Sequence, residues 1–248
     1  MSVKAVNNTP AALITSSGQL RNAVAAQPLM QSRLTMLQSW QVARLRQTYD
    51  DFSSQPRYHD ALEFFVSDLY ATHEYSQLEA QLRKVLRMLQ RLLPAQAMQT
   101  LKLALQLEGL SLSLDLDMTR YLDGRDITQN VYQQAYRSVG RLAERRQQIM
   151  LVVESGRAMD ELVGNAAIGI ALWAAALPAR IAGVVMLHEF LARGYHAFSK
   201  MQGASRLLAA IEQRESIIMN KLFNADSEPF NWQRAESNRE TVPGMKLR

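Results

Sequence analysis

The sequence predicts an all-α fold, a single multi-helix bundle of about eight helices, and three observations predict it. Leucine, alanine, glutamine, arginine and methionine dominate the 248 residues, and there are only 11 glycines and 7 prolines. That mixture favours helix. Apolar residues recur at helical spacing along most of the chain. No alternation of strands with helices and no internal repeat interrupts the pattern.

Residues 1–27 are polar and weakly patterned, so a flexible arm is expected there. The helical domain is expected over 28–224. Leu34, Leu37, Val42 and Leu45 set its first helix, which SSQP ends before Pro56. Helices over 58–70 and 75–93 follow, and Pro94 opens the next. Its segment, LKLALQLEGLSLSLDLDM, places leucine at every second position, which reads as a strand or a hairpin at 108–109. It contains no valine, isoleucine or aromatic residue, the types that strands prefer. Leu103, Leu107, Leu110, Leu114 and Tyr121 also fit helical steps. One long, deeply buried helix is the reading adopted.

Asp126 and Gln129 form a capping-box pattern before a helix expected over 127–154, with a break at Ser155–Gly156 and a short helix around 159–163. The stretch AAIGIALWAAALPARIAGVVML (166–187) carries one charge. A spanning helix needs about 20 continuous apolar residues, and Pro178 divides this run. Two rods joined at Leu177–Pro178 and packed inside the bundle are expected. A stripe of Ile181, Val184, His188, Leu191, Tyr195 and Phe198 follows, then a helix over 204–223. The tail, 225–248, is polar and expected to be flexible, with Phe230 and Trp232 able to dock.

Composition excludes several functions. The chain has no cysteine, which removes disulfides, thiolate metal sites and a cysteine nucleophile. The net charge is +5 and is spread out, whereas a nucleic-acid partner would need a concentrated basic face. No secretory h-region appears, so a cytoplasmic location is expected. Neither Glu-x-x-His nor His-Glu-x-x-His occurs, and no metal site is expected. There is no phosphate-binding glycine loop and no nucleophile elbow. Asp115 and Asp117 read as solvated charge near a helix end.

The candidates for a site are charges inside apolar stripes: Asp68 beside Phe64 and Phe65, Arg146 continuing a stripe from Tyr132 and Tyr136, Arg180, and Glu215 between Ile211 and Ile218. Buried charges must be paired, so some of these four are expected to pair with one another. They would fix helix register or form a polar pocket for an anion or polar ligand. His188 and Tyr195 complete the candidate pocket. No catalytic residue is expected.

FFVSDLY (64–70), the Tyr132–Gly140 and Arg146–Gln147 regions, LPARIAG (177–183) and AFSKMQGASRLLAAIEQRE (197–215) carry a resemblance. Over residues 30–224 the chain resembles an uncharacterised bacterial all-helical protein family with an FFL-x-DLY box and a C-terminal AF-x-x-M…I-x-x-RE segment. Val66 replaces the family's usual leucine, and Ala71 stands where glycine is common. The resemblance implies a bacterial source and an all-α fold, and it brings no reaction. The expected function is therefore that of a non-enzymatic helical binding protein, an adaptor or regulator, with a protein partner or a second copy of the chain. No cofactor, nucleic acid or membrane contact is expected. The alternative is a small-molecule or haem-binding bundle, with His188 and Tyr195 or a pocket floored by Arg146 and Glu215.

Overall fold

The leucine-alternating segment lies within one helix, α6 (Ala95–Leu122). Four others surround it: α1 (Pro10–Ala25), α2 (Pro28–Thr48), α7 (Gln129–Val139) and α8 (Leu142–Val163). A helix covered on several sides buries leucines around most of its circumference, and Leu103, Leu112, Leu114, Leu116 and Leu122 are all buried. The period-two pattern therefore records a central helix rather than a strand. The structure is a computed structural model that describes residues 9–70 and 75–233. Among these residues the chain is all helical, with twelve α-helices where about eight are expected from the sequence.

Most of the additional helices come from breaks that hydrophobic periodicity does not reveal. Gly140, at φ 68°, and Arg141, at φ 59°, separate α7 from α8. The expected single helix over 127–154 is thus two, and α8 runs straight through Ser155–Gly156. Thr128, not Asp126, caps α7 by accepting from the Val131 N–H at 3.3 Å. The segment from Pro56 divides into α4 (Pro56–Glu63) and a π-helical turn, Phe64–Tyr70. A four-residue helix, α3 (Asp50–Ser53), precedes α4, and α5 (Tyr75–Leu92) follows the turn.

The N-terminal arm is a second correction. Residues 10–25 form α1, opened by Pro10 and capped by Thr9, whose side chain accepts from the Ala12 N–H at 3.3 Å. Ile14 anchors it in a cluster with Leu78, Leu82 and Leu187. Weak patterning hides this helix, because only Ile14, Ser17, Gly18 and Val24 are buried.

The alanine-rich stretch is the largest departure from expectation. It does divide, into α9 (Ala166–Ala174) and α10 (Ala176–Ala182). Pro178 lies in the first turn of α10, where a missing N–H is tolerated. Gly183, at φ 65°, then separates α10 from α11 (Val185–Met201), which leads to α12 (Ser205–Phe223). The two short rods are not hidden. Ile170, Trp173, Leu177 and Ile181 are 67, 81, 66 and 81% exposed. In α10 the inward contact is made by the small residues Ala179 and Ala182, while in α9 Ile168 and Leu172 are only partly covered. No helix among the described residues is long and apolar enough to cross a membrane.

Helices α8 and α12 approach closely at Gly156. A Cβ there would overlap the side chain of Leu208, itself buried. Gly156→Val is expected to destabilise the protein by about 1–3 kcal/mol through overpacking. The midpoint of urea denaturation, with unchanged slope, checks this.

Candidate functional site

Helices α1, α2, α4, α6, α7, α8 and α12, with Tyr49 and with Phe65 and Val66 of the π-helical turn, line a cavity of about 230 Å³. Its ionic groups come from separate elements. Arg44 of α2 donates to Glu215 of α12 at 2.6 Å, and the Tyr49 hydroxyl donates to the same oxygen at 3.0 Å. Gln41 Nε2 donates to Asp115 Oδ1 at 3.2 Å and to the Tyr132 hydroxyl at 3.3 Å. Arg21 pairs with Glu108 across α1 and α6. Arg145 lies over the Tyr136 ring, 4.1 Å from its centroid.

Burial shapes the ionisation of these groups. Desolvation opposes the Arg44 cation, but the facing Glu215 carboxylate outweighs it and raises the pKa. Desolvation, helped by the Glu215 charge, pushes the Tyr49 phenol well above its ordinary value. Desolvation likewise raises Tyr136, against the opposing pull of Arg145. Both phenols therefore remain hydrogen-bond donors.

Behind this wall Arg214 of α12 ties α3 to the segment that follows α12. Arg214 makes a two-pronged contact with Asp51, 2.7 Å on each prong, and donates to the Thr48 carbonyl at 2.8 Å. These hydrogen bonds hold the Asp51 carboxyl below its ordinary range. The Trp232 ring covers the Arg214 guanidinium at 3.7 Å. Phe230 and Trp232 pack on the cluster built from Leu37, Tyr132 and Leu222. The start of the expected tail is thus docked; residues 234–248 lie outside the described ones.

Among the described candidates the structure brings only Glu215 to the cavity. Its partners are Arg44 and Tyr49, not Arg146 or Arg180. Arg146 and Arg180 are exposed. The Asp68 side chain lies outside the described residues. His188 Nε2 lies 2.9 Å from the Leu172 carbonyl oxygen, holding α11 to α9. Tyr195 packs against Gly169 of α9. Asp115, read as solvated, is 2% exposed, because α6 is covered on several sides. Asp117 does face away from it, pairing with Arg120 and Arg141 at 2.9 and 2.6 Å. Among the described residues no three His, Asp or Glu side chains come together as a metal site.

Arg145 stands where Arg146 was expected, for a simple reason. The stripe from Tyr132 and Tyr136 continues to Arg146 only if the helix is unbroken. Gly140 resets the phase, and α8 presents Arg145, Ile149 and Val152 to the cavity instead. Helical steps counted backwards from Gly156 would have found Arg145. Gln41 and Arg44 carry no comparable signal, since α2 is polar on several sides.

A family model described as domain of unknown function (DUF8198) matches residues 20–229. No curated protein and no solved structure matches the chain.

Two outcomes are expected. Glu215→Ala leaves the half-buried Arg44 cation without its carboxylate and is expected to cost about 1–3 kcal/mol, read from urea denaturation. Tyr49 and Tyr136 have raised folded values, so their contribution is complete below the unfolded tyrosine value of 10.0 and is lost as pH rises above it. In an alkaline titration followed by tyrosinate absorbance, two of the eight tyrosines should ionise only as the protein unfolds. Tyr49→Phe and Tyr136→Phe should each remove one of them.

Proposed function

The chain belongs to the DUF8198 family, and we propose that it is a non-enzymatic helical binding protein that takes a small molecule into the cavity beside Glu215. One observation carries this reading: the interior keeps an open space lined by charged groups from separate helices. Interiors are close-packed, and voids larger than a water molecule are few. A space with apolar walls and a few convergent polar groups has the character of a ligand pocket.

The polar groups also favour binding over catalysis. Glu215 is engaged by two donors and Asp115 by Gln41. Carboxylates held in fixed positions in this way can orient a ligand. The role of a regulator follows naturally, because a ligand bridging α2, α8 and α12 would stiffen the contacts among them.

A second reading concerns the outer face. Ile170, Trp173, Leu177 and Ile181 follow helical spacing across α9 and α10 and expose on the order of 600 Å² of apolar surface, as much as the largest patch on a typical monomer. The same stretch, 166–179, has no charge. A second copy of this chain suits such a face, because an isologous contact needs no charge complement. Two such faces together would just clear the area that a specific interface requires.

Both readings have direct tests. For the cavity, native mass spectrometry of freshly purified protein should show a retained small molecule, or a fragment library should raise the melting temperature. Ile149→Trp, which fills the space, should abolish either effect. A protein that retains nothing and answers to no fragment contradicts the reading. For the face, light scattering should give twice the chain mass, and Trp173→Glu should halve it. A monomer at every concentration contradicts that second reading.

A further inference from the structure

A guanidinium stays charged at any pH a protein survives and carries five N–H donors. Burying it without acceptors costs several kcal/mol. Arg145 is 3% exposed, and it lines the cavity. Its Nε and Nη2 are buried and have no hydrogen-bond partner among the described residues. Its described neighbour is the face of Tyr136, which attracts the cation but accepts no in-plane N–H.

The two idle nitrogens are chemically informative. Nε–H and one Nη2–H lie on the same edge of the guanidinium and point the same way. That edge is the fork which meets a carboxylate through two parallel bonds. Of the other two arginines of the cavity, Arg21 is paired with Glu108, and Arg44 is paired with Glu215 through Nη1, with its Nε alone unpartnered; only Arg145 leaves both nitrogens of one edge without an acceptor among the described residues. The cavity walls carry three guanidinium groups (Arg21, Arg44, Arg145) and three carboxylates (Glu108, Asp115, Glu215). Arg145 therefore lacks an acceptor of the right shape more than it lacks a counter-charge. A planar oxyanion delivered by a ligand supplies one.

The rest of the space sets the ligand's body. Leu45, Phe65, Val66, Ile149, Val152 and Ile211 give it apolar walls. A cavity of about 150 Å³ holds benzene, so 230 Å³ accommodates a ring or a short chain with an acid group. We infer that Arg145 binds the carboxylate of a small monocarboxylic acid whose apolar or aromatic body fills the cavity between α2, α8 and α12. This rests on the cavity being a binding site, and it adds the chemical class of the ligand and the residue that selects it.

The test uses the full chain and three acid–amide pairs: benzoate and benzamide, phenylacetate and phenylacetamide, octanoate and octanamide. Binding is measured by titration calorimetry and by thermal shift. The acids should bind at least about tenfold more tightly than the amides, a difference of about 1.4 kcal/mol. Arg145→Met should abolish that preference. Arg145→Lys, a point charge without the fork, should retain only part of it.

The stability of Arg145→Met without ligand separates a binding role from a structural one. A buried charge without acceptors is a burden, so the variant should melt at or above the wild-type temperature. A large fall in melting temperature would make Arg145 a packing element and overturn the inference. Equal binding of acids and amides would also overturn it, while leaving the cavity a binding site. If neither series binds and the purified protein retains nothing, both proposals fall together.

Discussion

The ion pair between Arg44 and Glu215 spans 171 positions of sequence and holds α2 against α12 across the middle of the molecule. Each partner is half-buried, and each needs the other. Tyr49 donates to the same carboxylate, and Gln41, one turn earlier on α2, reaches Asp115 of α6. These contacts set polar groups into walls that are otherwise apolar. The polar walls are tolerable because most of their charged groups are paired.

This arrangement divides labour along the chain. The α12 segment carries Arg214 and Glu215 side by side, and they face different tasks. Glu215 looks into the cavity, while Arg214 gathers Asp51, the Thr48 carbonyl and the Trp232 ring. The adjacent pair thus joins the interior to the docked end of the described chain. At the far side, α9 and α10 present Ile170, Trp173, Leu177 and Ile181 outward, while Ile168 and Leu172 of α9 and Ala179 of α10 are less exposed. The inner cavity and the outer face share no residue, so they can act independently.

Much of the fold is legible in the sequence, and the failures have physical causes. The long leucine-rich helix is readable because strand-forming residues are missing from it. The division of residues 166–187 is readable from Pro178, but the exposure of the two rods is not. Apolar composition says that a segment avoids water, and it does not say whether another element is there to cover it. Helix α1 is hard to read because its apolar residues form no stripe and two of its four buried positions, Ser17 and Gly18, are not apolar side chains. The site suffered most from phase. Gly140 and Arg141 reset the helical count, so extrapolation from Tyr136 arrived at Arg146, one residue past the guanidinium that lines the cavity. Glu215 was found because α12 is unbroken from Ile211 to Ile218. Its partners lie on α2, whose polar residues give no sign of which face is buried.

The claim on which the account rests is that Arg145 holds an unfilled fork inside the core. The arginine Nε–H region of the NMR spectrum tests it directly, with Arg145→Met used to assign the signal. The account predicts an Arg145 Nε–H in the free protein without the marks of a strong hydrogen bond, which shifts downfield and exchanges slowly once phenylacetate is bound. An Arg145 signal already hydrogen-bonded in the free protein, and unmoved by the acid, would contradict it.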